Sequence, residues 1–165
     1  MPRHREIDEV DSAMLKGIDH VNLVVDNIQA MTHFYTQVLG LRVAKEVTIE
    51  GPWVQQVVDL PDVKAHVVYL EADQGPRIEL IQYVNPIAKR AEGIDMANAQ
   101  GIRHLAFRVE DIDEVTSNLQ RAGLGTLSPV QQVPDTQVTY TGGVRKRLVY
   151  FRDPEGNLLE LCEYR

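Results

Sequence analysis

The chain has 165 residues, 44% hydrophobic and 25% charged, which is the composition of a soluble globular protein, and no apolar run is long enough to span a bilayer. A formal net charge of −7 argues against broad binding to a nucleic-acid backbone, so neither nucleic acid nor membrane is an expected partner. The single Cys162 cannot form an intrachain disulfide and the charged start Met1–Asp11 lacks the apolar core of an export signal, so a cytoplasmic location is expected.

Residues 1–15 read as a loosely held extension. Ile18–Val25 alternates His20/Asn22/Val24 with Val21/Leu23/Val25, the period of a strand with one apolar face. Asp26 then offers an N-cap with Gln29 three places on, and Ile28, Met31, Phe34, Tyr35 and Val38 follow at helical spacing as far as Gly40. Leu41–Val47, Ala65–Leu70 and Arg77–Tyr83 read as strands. The breakers Gly51-Pro52 and Pro61-Asp62 predict a long loop or irregular hairpin between the first two of these.

Residues 85–99 read as a linker, and residues 100–165 then restate the order of residues 16–84. Gly101–Val109 is the strand, and Asp111 with Glu114 has capping-box spacing. Ile112, Val115, Leu119 and Ala122 form one helical stripe closed by Gly123. Gln137–Thr141, Arg147–Arg152 and Leu158–Tyr164 supply the later strands, with turns at Gly142-Gly143 and Asp153–Asn157. The restatement extends to residues: Gly17-Ile18-Asp19-His20-Val21 returns as Gly101-Ile102-Arg103-His104-Leu105, and Ile78-Glu79-Leu80 as Leu159-Glu160-Leu161. The predicted fold is therefore α+β, two tandem βαβββ modules forming a cupped mixed β-sheet with the helices on its outer face.

Strand parity carries the chemistry. If Leu105, Phe107 and Val109 pack on their helix, His104, Ala106 and Arg108 take the other face, as do His20, Asn22, Glu79 and Glu160. A bare carboxylate is costly to bury on the inside of a cup without a partner. Two imidazoles and two carboxylates converging there would compensate one divalent cation, with zinc, nickel, cobalt, manganese and iron all suited to mixed nitrogen and oxygen ligands. A lone strand histidine is ordinarily a hydrogen-bonded structural residue and a lone strand glutamate ordinarily solvated. It is the recurrence of the pair that favours a metal.

Other residues are weighed singly. Asn22 and Arg108 are candidate substrate contacts on the inferred inner face. Trp53, in its breaker-rich loop, either closes over the pocket or plugs a gap in the core. Arg145, with Lys146 and Arg147, either grips a substrate phosphate or carboxylate or belongs to a solvated charged hairpin. Cys162 has no adjacent base and is expected to be a small buried filler, and His33 and His66 receive no role.

Over roughly residues 16–165 these motifs, above all Phe151-Arg152-Asp153-Pro154-Glu155-Gly156-Asn157-Leu158-Leu159-Glu160-Leu161, resemble the vicinal oxygen chelate superfamily, also called the glyoxalase, bleomycin-resistance and dioxygenase group. The Phe34-Tyr35 and Leu39-Gly40-Leu41 segments are part of the likeness. The resemblance implies that His20, Glu79, His104 and Glu160 are metal ligands, that Glu79 or Glu160 is the catalytic base, and that the protein is a homodimer acting on a small molecule. It implies an isomerase or lyase similar to methylmalonyl-CoA epimerase or glyoxalase I, which removes a proton next to a carbonyl. Two alternatives follow from the same resemblance: an extradiol-type dioxygenase with iron on His20, His104 and Glu160, and a metal-free drug-binding resistance protein.

Overall fold

The computed structural model describes residues 15–165; the expected extension, apart from Leu15, lies outside the described residues. The first module runs β1 (His20–Val24), α1 (Ile28–His33), β2 (Arg42–Glu50), α2 (Pro52–Val58), β3 (Lys64–Glu71) and β4 (Arg77–Asn85). The second runs β5 (His104–Arg108), α3 (Ile112–Arg121), β6 (Gln131–Gln132), β7 (Lys146–Arg152) and β8 (Leu158–Tyr164). Each module folds into its own four-stranded mixed sheet, in the orders β1-β4-β3-β2 and β5-β8-β7-β6. The tandem βαβββ plan is thus as expected, but the single cupped sheet is two sheets, and no ladder joins β1 to β5 among the described residues.

The apolar faces of the two sheets and their helices share one core. Ile28, Met31, Phe34 and Tyr35 from the first helix pack with Leu70, Ile78 and Leu80 and also with Ile112, Leu119, Phe151, Leu159 and Leu161 of the second module. Burying a side chain of this size stabilises by roughly 1.5–3 kcal/mol, so this shared core holds the modules together. The expected parity follows: Leu23, Leu105, Phe107 and Val109 pack against this core, which leaves the alternate residues to the opposite faces.

α1 and α3 are each pinned to the strand that carries a candidate ligand. The backbone N–H of Ile28 donates to Gln82 Oε1 at 3.1 Å, and that of Ile112 donates to the buried Glu163 Oε1 at 3.2 Å. Gln82 and Glu163 stand three places beyond Glu79 and Glu160, on the other face of β4 and β8. A polar side chain at a helix start satisfies an otherwise orphaned donor, so the duplication preserves the cap together with the ligand strand.

Four local readings are corrected. The N-cap of α1 is Asn27, whose Oδ1 accepts from the Ala30 N–H at 3.0 Å, rather than Asp26. After His33 the helix widens into a π turn over Phe34–Val38 and stops at Gly40, where φ is +77°. The segment read as a loop at Gly51-Pro52 contains α2: Pro52 occupies the first turn, where its missing N–H costs nothing. The strand expected at Gln137–Thr141 is a turn and irregular chain after Pro134, and β7 pairs instead with the two-residue β6.

Candidate metal centre

Parallel pairing of β1 with β4 sets Asn22 opposite Glu79 and leaves His20 two residues away on the same face; β5 and β8 likewise set Ala106 opposite Glu160 and leave His104 two residues away. In the first module His20 Nε2 lies 3.5 Å from Glu79 Oε2, and in the second His104 Nε2 lies 3.2 Å from Glu160 Oε2. Both imidazoles are about a third exposed, at 38% and 35%, whereas the glutamates are more enclosed.

The two carboxylates are held differently. Glu79 accepts from the Asn22 amide at 2.7 Å through Oε2 and from the Tyr69 hydroxyl through Oε1, so both oxygens face neutral donors. The hydrogen bond to Glu79, aided by burial, pushes the Tyr69 hydroxyl up to about 12. Glu160 is buried and faces an ammonium: Lys146 Nζ lies 2.8 Å from Oε1. Burial opposes the charge on Lys146, yet Glu160 outweighs it and raises the ammonium above its ordinary range. Tyr150 lies beside His104 with ring centroids 5.0 Å apart, and burial, then the charge of Glu160, raises its hydroxyl.

A partner also stands behind His20. Its Nδ1 is 2.8 Å from Asp19 Oδ1, which takes a bond from Arg77 at 2.6 Å, and the hydrogen bonds to His20 and Arg77 hold the Asp19 carboxyl below the usual range. A carboxylate on one ring nitrogen fixes the tautomer and aims the other nitrogen outward, the arrangement common behind metal-binding histidines.

These donors suit a divalent cation, but two donors do not make a site. Among the described residues no group of three or more His, Cys, Asp or Glu side chains is placed to share an ion. The four expected ligands therefore stand as two half-sites, His20 with Glu79 and His104 with Glu160, rather than as one cluster within the chain. Within the single chain the buried Glu160 is matched by Lys146.

Of the other candidates, Asn22 holds Glu79, and Arg108 lies on the inner face of β5 with its guanidinium 5.3 Å from the centre of the Tyr164 ring. Trp53 is 58% exposed on α2, which follows the edge strand β2 and is separated from β1 by the width of the sheet. Arg145 pairs with Asp135 at 3.6 Å just outside β7 and does not reach Glu160. Cys162 is buried, which pushes its thiol up. Sequence reasoning missed Tyr69 and Tyr150, and it weighed Lys146 only as one of three basic residues for a substrate anion, not as the partner of Glu160. The two tyrosines are 81 positions apart, the interval between the glutamates, and that signal was available.

The structure defines the class as a duplicated α+β fold with an imidazole and a carboxylate side by side on the helix-free face of each copy. Residues 17–161 match the family model described as the Glyoxalase/Bleomycin resistance protein/Dioxygenase superfamily, and the chain belongs to that superfamily. It is 28% identical to the protein YwkD of Bacillus subtilis over 91% of this chain and 98% of that one. It is also 28% identical to YaeR of Escherichia coli over 90% and 97% respectively. Among solved structures it is similar to a glyoxalase family protein from Bacillus cereus, with a TM-score of 0.76, 28% identity, and 91% and 95% of the chains covered. The trypanothione-dependent glyoxalase I of Leishmania major shares the fold at a TM-score of 0.58 and 18% identity, covering 90% of this chain and 87% of that one.

Proposed function

We propose that the protein is a divalent-metal-dependent isomerase or lyase that removes a proton next to a carbonyl group of a small molecule. The single observation that supports this most directly is the repeated His–Glu pair on the inner face of both modules. The four ligands would be His20 and Glu79 of one chain with His104 and Glu160 of a second. Among the described residues β1 and β5 each have one strand neighbour and an unpaired edge beside their histidine, and a second copy that joins β1 to β5 would bring the half-sites together. The homodimer belongs to this proposal.

The ion, when bound, would draw charge toward the substrate carbonyl oxygen and so acidify the neighbouring C–H. Glu160 would serve as the base, its carboxylate set 3.2 Å from His104 Nε2 and backed by Lys146 at 2.8 Å, whereas the two oxygens of Glu79 accept from the Tyr69 hydroxyl and the Asn22 amide. Lys146 would hold the Glu160 carboxylate in place while it takes and returns the proton. Asp19 would keep the His20 ring oriented.

The test is elemental analysis of freshly purified protein, followed by incubation in heavy water with the methylglyoxal–glutathione hemithioacetal and with methylmalonyl-CoA. Stoichiometric metal and deuterium entering a substrate, lost in Glu160→Gln, are the expected results. Oxygen consumption with a catechol would point to the dioxygenase instead, and a metal-free protein that exchanges no proton would end the isomerase reading.

A further inference from the structure

On the helix side of the sheets, behind the half-sites, the two modules differ at one bridge. In the second module Arg147 of β7 reaches from the sheet to the helix. Its guanidinium donates to the two Asp113 oxygens, in the first turn of α3, at 2.8 and 2.9 Å, and to the buried Glu163 at 3.1 Å. A guanidinium presents a fork of donors that fits such acceptors, so the bridge ties α3 to its sheet. The places equivalent to Arg147 and Glu163, 81 positions earlier, are His66 and Gln82, and the place equivalent to Asp113, 84 positions earlier, is Gln29. The registers agree, since His66 pairs with Gln82 as Arg147 pairs with Glu163. The first module has a cleft of about 650 Å³ at this place, between α1 and the β2–β3 edge.

The cleft offers acceptors and no cation. Gln29 and Thr32 line it from α1, Glu46 from β2 and His66 from β3, and no lysine or arginine lines it. His66 Nδ1 is 2.9 Å from Thr48 Oγ1, which holds the shorter ring back where Arg147 reaches across. Thr32 Oγ1 is buried and has no hydrogen-bond partner among the described residues, whereas its counterpart Thr116 donates to Asp113 O at 2.9 Å. The counterpart of Glu46, 84 positions on, is Val130, which packs against the core. The first copy thus has a carboxylate where the second has an apolar side chain. Walls of low dielectric concentrate the field of a charge that faces a cleft, which favours a cation there.

We propose that this cleft binds a small molecule carrying a guanidinium group, which takes the place that the Arg147 side chain fills in the second module. The Glu46 carboxylate balances its charge, and Gln29 Oε1 and Thr32 Oγ1 accept its N–H groups. The site is separate from the metal reading and does not rest on it. His66 shares the helix side of β3 with Val68 and Leu70, whereas Tyr69, which donates to Glu79, takes the opposite face.

The full-length protein is titrated calorimetrically with butylguanidinium, with butylammonium, and with N-butylurea, which has nearly the shape of the first without its charge. Butylguanidinium is expected to bind about tenfold or more tightly than either of the others. Glu46→Gln should bring it down to the level of the urea, and Thr32→Val should weaken both. His66→Arg combined with Gln29→Asp rebuilds the second-module bridge inside the cleft and should abolish binding. Glu46 is exposed, so its variant is expected to fold, and circular dichroism checks all three. Butylguanidinium that binds no more tightly than the urea overturns the site. Equal binding of butylammonium overturns the assignment of the guanidinium group. Binding that persists unchanged in both Glu46→Gln and the rebuilt bridge would be general attraction to a chain of net charge −7, and would also end the proposal.

Discussion

Tyr69 and Tyr150 stand in register with Glu79 and Glu160 on the neighbouring strand, and each places its ring beside the histidine of its own module, with centroids 5.9 Å apart for His20 and Tyr69 and 5.0 Å for His104 and Tyr150. The repeated unit is therefore a triad of histidine, glutamate and tyrosine. Tyr69→Phe removes one of the two donors that orient Glu79. Losing an outer partner of a metal ligand commonly costs about tenfold or more in affinity, and a zinc titration of the variant should show a loss of that size with no change of fold. Unchanged affinity would reduce Tyr69 to a packing residue.

Lys146→Met takes the ammonium away from buried Glu160. Breaking such a pair by removing one partner destabilises by about 3–5 kcal/mol in the metal-free protein, which urea unfolding would register. Removing a competing cation should at the same time strengthen zinc binding, so the variant is expected to recover most of its stability when zinc is added. Equal loss with and without zinc would show that Lys146 does not compete with a metal.

Mixing two defective chains tests where the site forms. A protein with His20→Ala and Glu79→Ala is refolded together with one carrying His104→Ala and Glu160→Ala. In a shared arrangement the mixed dimer has one intact set of four ligands and one empty set, so the mixture should bind zinc although neither parent does. Continued absence of binding in verified mixed dimers would assign the site to single chains.

The second-module turn clamps the first helix. Glu155 accepts from the backbone N–H of Asp26 at 2.9 and 3.0 Å and of Asn27 at 2.8 Å, while Tyr35 donates to the buried Asp153 at 3.1 Å. Glu155→Ala leaves those N–H groups to water, at a cost of about 1–2 kcal/mol, or roughly 2–8 °C in Tm. Scanning calorimetry would reveal it, and an unshifted Tm would show that the turn does not tie the modules together.

Acid sensitivity should have a surface component at Asp113. The hydrogen bond from Arg147 holds its carboxyl below the usual carboxylate range. A carboxyl depressed by folding stabilises above its unfolded value, and that contribution is lost as pH falls through the folded value. The stability gap between the parent and Asp113→Asn is thus expected to be full above pH 5 and to close on acidification below about 4. Both partners lie near solvent, so high salt should shrink the gap at every pH.

The duplication made one feature legible: that His20 shares a face with Glu79, and His104 with Glu160, followed from two short repeats and strand parity, because alternation along a strand is a local property of the backbone. The role of Lys146 was not legible: beside Arg145 and Arg147 it read as one of three basic residues that were either solvated or open to a substrate anion. Only the pleat of β7 turns it inward to Glu160 while Arg147 turns outward to Asp113 and Glu163. Pro52 was read as a breaker where it starts a helix, since the same residue serves both uses. Whether β1 meets β5 within the chain depends on contacts between residues some 80 positions apart, and local pattern does not encode it.

The free edges of β1 and β5 carry a thermodynamic consequence. If the metal is held by ligands from two chains, ion binding and association become one linked equilibrium: each favours the other to the same degree. Dilution would then strip metal from the protein, a chelator would dissociate it, and the cellular supply of the ion would set how many subunits travel as pairs.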